Sequence, residues 1–362
     1  MSGTLLFSPM TIRGVELKNR IVVPPMHQYS AIKGFPTDWH LMNAGKFAAG
    51  GAGLVIVEST KVERRGCGTV GDLGLWDDRH AEPLKPITRF AREQGCTIAV
   101  QLAHAGRKAG VGLGWQPQRS LSAGEGGWTP VAPSALSFGE GYAVPEELDE
   151  AGIRRVIAAF VAATRRAREA GFDAIEIHAA HGYLLHQFLS PLSNRRSDGW
   201  GGSFENRTRL VREVVAAARA EWPAQLPLLI RLSATDWVEG GWNADETVEL
   251  CRILKGLGVD LVDVSSGGLV PYAQIPAGPG FQTEFATRVR REAGIPTAAV
   301  GLITSAAQAD HIVRTEQADM VLLGREMLRN PYWPTMAAKE LGLAAAWPRQ
   351  YLRAAPSGST AR

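Results

Sequence analysis

Two histidines three positions apart, His178 and His181, are followed by Tyr183 at the end of the apolar run GFDAIEIH. They head a polar, glycine-rich stretch, HAAHGYLLHQFLSPLSNRRSDGWGG (178–202). A core strand has no use for these side chains, and an ordinary loop rarely carries so many. A histidine pair with a carboxylate such as Glu176 is one way to hold zinc. In a strand, however, Glu176 and His178 share a face while the next residues turn away. No well-spaced third ligand is evident, so metal is not expected. Histidines that serve only the structure are the remaining plain reading.

Other candidates end other apolar runs. Gln101, in TIAVQLA, can donate and accept at once, which suits an amide-like heterocycle edge. Arg231, in LLIRLSATDW, is a cation within a core run and needs an anionic partner. That partner is either a structural carboxylate or a cofactor that becomes anionic. VSSGG, AVGLIT and LLGRE each end in small residues ahead of a helix. Small residues let backbone N–H groups approach an anion, and a helix N-terminus favours negative charge. Glycines that merely make tight turns are the alternative for any one loop. Two adjacent loops with Gly301, Gly324 and Arg325 favour a phosphate-bearing ligand, the arginine offering a charged fork.

The elements that position these residues are eight short apolar runs: 20–24, 53–59, 97–103, 173–178, 226–232, 259–266, 296–301 and 318–324. Several are apolar and β-branched at consecutive positions, as parallel strands buried on both faces are. Helical periodicity lies between them, at Glu147–Ala170, Phe204–Trp222 and Ala244–Leu257. Eight strand-then-helix units predict a single (β/α)8 TIM barrel of the α/β class, over residues 1–355, with 356–362 a flexible tail. LLFSPMTIRGVELKN predicts a hairpin closing the barrel bottom. A stretch rich in Gly, Ser, Pro and Trp, about 104–146, is too long for an ordinary loop, and Trp115 and Trp128 favour an ordered lid. In this fold the active site forms where strands end. That collects His27 and Tyr29, Ser59, Gln101 and His104, the His178 group, Arg231, and the three glycine loops.

Composition narrows the function. The chain has 362 residues, 45% hydrophobic and 21% charged, with a net charge of +3 and no Lys/Arg block. Neither nucleic acid nor an anionic membrane surface is expected. Cys67, Cys96 and Cys251 are far apart in sequence, so no CxxC metal pattern exists and reduced thiols in a cytoplasm are expected. No basic segment leads into an apolar one at the start, and no apolar stretch is long enough to span a membrane.

Taken together, NRIVVPPMHQYS, QLAHAGRKAG, HAAHGYLLHQFLSPLSNRRSDGWGGSFENRTRL, VSSGG, AVGLIT and GREMLRNPYW resemble, in order and over nearly the whole chain, the old yellow enzymes. These are FMN-dependent ene-reductases, and the similarity is greatest to the thermophilic-like, xenobiotic reductase branch. The long central motif is highly specific; the glycine loops alone are not. The resemblance implies that His178 and His181 bind a carbonyl or nitro oxygen of the substrate and polarise its conjugated double bond. It implies that Tyr183 protonates the α-carbon and that Tyr29 helps to hold the substrate. Gln101 and Arg231 would contact the flavin's pyrimidine edge, with His178 alongside. Pro25, Met26, His27 and Ser59 would line its ring, and Gly301, Gly324 and Arg325 would hold its phosphate. The implied cycle is ping-pong: NADPH, preferred over NADH, reduces tightly bound FMN and leaves, and an activated alkene enters the same site. Enones, enals, maleimides and nitro compounds are the implied substrates. Arg353 in WPRQYLRA matches a C-terminal arginine that reaches the neighbouring active site in a homodimer or homotetramer; a solvated terminal arginine is the alternative.

One position departs from that branch, which usually carries cysteine after the Pro-Met of the first strand. Here His27 stands there. Imidazole is larger than a thiol and titrates near neutral pH, so an altered flavin potential and substrate fit are expected. Rival readings are a flavin-binding sensor without turnover and a metal- or Schiff-base-dependent barrel lyase. The lyase would need a third metal ligand or an apolar strand-end lysine, and Lys61, just past the second strand in STKVERRG, is poorly placed for a depressed pKa. The related dienoyl-CoA reductases need a cysteine-rich iron–sulfur motif that is absent.

Overall fold

The computed structural model describes residues 4–361. Residues 1–3 and 362, the ends of the expected barrel and tail, lie outside the described residues. Eight parallel strands close into a barrel: β1 (Ile21–Val23), β2 (Leu54–Lys61), β3 (Thr97–Ala103), β4 (Ala174–Ala179), β5 (Leu228–Ser233), β6 (Leu261–Ser265), β7 (Thr297–Val300) and β8 (Met320–Leu322). β8 pairs back with β1. Each apolar run became a strand because each is covered on both faces.

Alternation along the strands separates two cores. Residues such as Val55, Val57, Ile98, Val100, Ile175 and Ile177 pack outward under the helices. Val22, Leu54, Ile56, Ala99, Ala174, Leu229 and Leu261 fill the inside of the barrel. The hairpin Met10–Ile12/Val15–Leu17 forms as expected, and its Ile12 and Leu17 join that inner layer, closing the lower end.

Continuing the inward series toward the C-terminal ends replaces apolar residues by polar ones. Ala99 is followed by Gln101, Ala174 by Glu176 and His178, Leu229 by Arg231, and Leu261 by Asp263. The register sets Gln101 beside Glu176, His178 beside Arg231, and Arg231 beside Asp263. The barrel interior is therefore oily below and ionisable above.

The helices match the sequence periodicity, with their starts fixed by side-chain caps. Glu150–Glu169 starts after Asp149, which accepts from the Gly152 N–H, three residues later than periodicity alone suggests. Glu147, the expected start, is extended instead, and Glu146–Glu147 pairs with Val131–Ala132. Phe204–Glu221 and Ala244–Gly256 are capped by Ser203 and Asn243.

The 104–146 stretch is folded back over the barrel mouth. Trp128 Nε1 donates to the Arg65 carbonyl at 3.0 Å, Arg65 pairs with Glu146, and Val111 bridges Ser120. Trp115 is 69% exposed, yet its ring meets Tyr29 edge-on with centroids 5.7 Å apart. In the 356–362 segment, expected to be a loose tail, Thr360–Ala361 pairs with Ala346–Trp347.

Candidate active site

A cavity of about 360 Å³ opens at the C-terminal end of the barrel. Of the residues singled out in the sequence, Pro25, His27, Tyr29, Ser59, Gln101, His178, His181, Tyr183 and Arg231 line it. A second cavity, of about 320 Å³, lies over β7 and β8 and brings together Gly301, Gly324 and Arg325. Met26 lines neither; a Cβ on Gly324 would come within 3.5 Å of its sulfur. Arg353 is exposed on the turn Arg349–Ala354 and lines neither cavity of its own chain.

The histidine loop is built by backbone contact. His181 and Gly182 are left-handed, with φ of 57° and 70°. A Cβ on Gly182 would fall 2.2 Å from the Gly268 carbonyl oxygen, and one on Gly268 would meet the His181 backbone. The glycines of VSSGG thus let the loops after β6 and β4 touch. They were grouped in the sequence with the anion-binding loops; the structure places Gly268 at the first cavity instead. The Ser233 hydroxyl accepts from the His181 N–H at 2.9 Å, and Ser265 Oγ lies 2.7 Å from His181 Nε2, leaving Nδ1 available to a ligand. His178 is buried and its Nδ1 has no hydrogen-bond partner. Burial, followed by nearby cationic groups, holds both imidazoles well below the usual histidine range. Each is then a neutral ring with one N–H to offer.

Tyr183 meets His178 edge-on at 5.0 Å. Burial first, then Asp72, pushes its phenol pKa upward, so it keeps its proton at ordinary pH. Its hydroxyl lies 3.3 Å from His27 Nε2. His27 in turn stacks on Tyr29 with centroids 5.3 Å apart.

At the barrel centre, Arg231 Nε lies 3.0 Å from Asp263 Oδ2, so the structural carboxylate weighed in the sequence exists. Arg231 nevertheless lines the cavity as well. Gln101 donates to Glu176 Oε1 at 2.8 Å. Burial raises the pKa of both Glu176 and Asp263, because one guanidinium serves two carboxyl groups in a dry interior. Among the described residues, no group of three or more His, Cys, Asp or Glu side chains is placed to hold a metal ion.

Two expectations are corrected. His104, counted among the strand-end candidates, is buried away from the cavity, with Nε2 2.8 Å from Glu63 and Nδ1 accepting from the Gly106 N–H. Lys61, expected just past β2, ends that strand. It is buried, donates to Ser59 Oγ at 2.6 Å and pairs with Asp72 at 3.5 Å. Sequence reasoning missed Lys108, whose ammonium donates to the His181 and Gly268 carbonyls and lines the cavity. Burial, then Arg107, lowers its pKa to about 7.

A family model described as the NADH:flavin oxidoreductase / NADH oxidase family matches residues 5–344. The chain belongs to that family, the old yellow enzymes. It is 49% identical to an NADPH dehydrogenase of Geobacillus thermodenitrificans over 353 residues, 97% of this chain and 98% of the relative. It is 45% identical to one of Bacillus cytotoxicus, over 97% of each. Among solved structures, an old yellow enzyme homologue from Zymomonas mobilis superposes with a TM-score of 0.78 at 26% identity, covering 94% of each chain. Morphinone reductase in complex with tetrahydroNAD gives 0.76 at 28% identity, over 96% of this chain and 93% of that one. As an old yellow enzyme, this chain is an oxidoreductase with FMN and a nicotinamide dinucleotide as cofactors. The residues present fit FMN. His178, whose buried Nδ1 has no partner, Gln101 and Arg231 all line the first cavity. At Gly301 (φ 128°) a Cβ would lie 3.0 Å from Gln282 and Phe281, so only glycine leaves the second cavity open. Among the described residues no helix is long and apolar enough to cross a membrane.

Proposed function

We propose that this old yellow enzyme is a cytoplasmic ene-reductase of the thermophilic-like branch. It would reduce activated C=C bonds of enones, enals, maleimides and nitroalkenes in a ping-pong cycle, with NADPH preferred over NADH. The observation that carries the reading is the convergence of two neutral imidazoles and a protonated phenol on one cavity beside Arg231. FMN, when bound, supplies the chemistry of accepting hydride from NAD(P)H and passing it to the alkene β-carbon.

The protein's part is to bind, polarise and protonate. His178 and His181 donate to the substrate's carbonyl or nitro oxygen, where negative charge develops as hydride arrives. Their depressed pKa values suit them to donate without protonating that oxygen outright. Tyr183 gives its proton to the α-carbon. Tyr29 and Trp115 form a wall of the substrate space, the lid lying over it. Gln101 and Arg231 hold the flavin's pyrimidine edge. Pro25, Met26 and Ser59 back its ring, and Gly301, Gly324 and Arg325 take its phosphate. Arg353, exposed in one chain, reaches the neighbouring site of a dimer or tetramer.

Isotope placement tests the reading. With NADPH in D2O, 2-cyclohexenone should yield cyclohexanone carrying solvent deuterium at the α-carbon. With NADPH deuterated at its transferring position, in H2O, deuterium should appear at the β-carbon. Failure to form the saturated ketone, or an α-hydrogen that does not come from solvent, would contradict it.

A further inference from the structure

The first cavity holds an imidazole, that of His27, to which the proposed cycle gives no proton-transfer role. His27 Nε2 lies 3.3 Å from the Tyr183 hydroxyl. At the far side of the ring, buried Nδ1 has no hydrogen bond but lies 3.6 Å from Glu58 Oε2 and 3.8 Å from Asp72 Oδ1. Both carboxylates are buried. Glu58 is also bound by His40, at 3.2 Å, and by the Gln28 N–H; Asp72 also pairs with Lys61. The remaining titratable groups around the pair are Tyr29, stacked on the ring, His178, beyond Tyr183, and the Lys61 and Lys108 ammonium groups, 5.0 and 5.9 Å from the centre of the Tyr183 ring. A tyrosine hydroxyl, an imidazole and two carboxylates are thus strung in line from the cavity into the wall.

The two protonation states of His27 act on Tyr183 in opposite ways. A neutral ring with its proton on Nδ1, toward the carboxylates, has a lone pair at Nε2. It accepts from the Tyr183 hydroxyl and turns the phenolic proton away from the substrate. An imidazolium donates from Nε2 to the phenolic oxygen, which leaves the phenolic proton directed into the cavity.

We propose that His27 is a positioning residue for Tyr183: as an imidazolium held by Glu58 and Asp72, it orients the phenolic proton toward the substrate and then replaces that proton. The inference rests on the reading of Tyr183 as proton donor. In the step, the phenolic O–H breaks as the substrate's α C–H forms. The Nε2 proton moves to the phenolate oxygen, leaving neutral His27 with its Nδ1 proton. Water entering as product leaves returns one proton to Nε2. One solvent proton is consumed per alkene, and no electrons move through His27.

The test is the pH profile of reoxidation of the reduced holoenzyme by 2-cyclohexenone, for the wild type, His27→Gln, His27→Cys and Tyr183→Phe. Wild-type reoxidation should slow about tenfold with rising pH, on an ionisation that requires His27. The two His27 variants should lose that ionisation and stay near the slow limb. Reduction by NADPH should show no such break in any of them. A flat wild-type profile, or the same ionisation surviving in both His27 variants, overturns the inference. Tyr183→Phe reoxidising as fast as the wild type overturns instead the reading on which it rests. Nitrogen-15 histidine spectra of the wild-type holoenzyme provide a readout independent of the variants. They should show one ring titrating with the midpoint of the reoxidation profile, and no such ring would again overturn the inference.

Discussion

Replacing Tyr183 by phenylalanine removes one oxygen and leaves the packing in place. The ring stays edge-on to His178 at 5.0 Å, with the Lys61 ammonium 5.0 Å from its centre. What is lost is a 3.3 Å contact with His27 and the phenolic proton beside the histidine pair. A hydrogen bond this long contributes about 1 kcal/mol, so stability should change little. A positioned general acid contributes about 10²–10⁴-fold, or roughly 3–5 kcal/mol of barrier. The two half-reactions separate these effects. Anaerobic stopped-flow should show Tyr183→Phe reduced by NADPH within about threefold of the wild type, because that step needs no proton from Tyr183. Reoxidation by 2-cyclohexenone should slow about 10²–10⁴-fold. Near-normal reoxidation would remove Tyr183 as the proton donor. Equal slowing of both steps would show that the substitution had damaged the site rather than deleted a proton.

Other perturbations follow from the same geometry. Arg231→Met leaves Asp263 and Glu176 buried without their cation, so unfolding should be easier by about 3–5 kcal/mol; adding Asp263→Asn should recover part of that loss, and a lack of recovery in denaturant titrations would count against the pair. Gly301→Ala forces a side chain into a φ of 128° and against Gln282, at about 1–3 kcal/mol; the purified protein should retain less FMN, as its flavin absorbance per chain will show. Burial opposes ionisation of Glu58, yet His27, His40 and the Gln28 amide outweigh it and bring its pKa to about 2. Its folded pKa is depressed, so the stability it contributes, roughly 3 kcal/mol, is complete above about pH 4.5 and is lost as pH falls toward 2. Glu58→Gln should therefore flatten the acid limb of the stability curve, and an unchanged limb would refute this.

Much of the barrel was legible because parallel strands buried on both faces leave continuous apolar runs, and all eight became strands. The site was legible where one strand end carried its own signal, as at His178, His181 and Tyr183. It was not legible where partners meet only through register. Asp263 sits in an apolar run 32 positions beyond Arg231, and only the β5–β6 pairing makes them neighbours. Lys108 lies in a stretch with no periodicity, so nothing local aims it at the cavity. The glycines of VSSGG misled for a physical reason: a missing Cβ serves a backbone–backbone approach as well as an anion, and here it lets two loops touch. His104 stands at a strand end like the others, but its partner Glu63 comes from the loop after β2, and that holds it away from the cavity.

If the proposed function holds, one cavity serves both the nicotinamide that supplies hydride and the alkene that receives it. The most direct measurement is an anaerobic double-mixing spectrum of the holoenzyme, first with NADPH and then with 2-cyclohexenone. A yellow flavin should bleach and then regain its colour at a rate set by the enone concentration. A flavin that bleaches and stays bleached in the presence of the enone would contradict it.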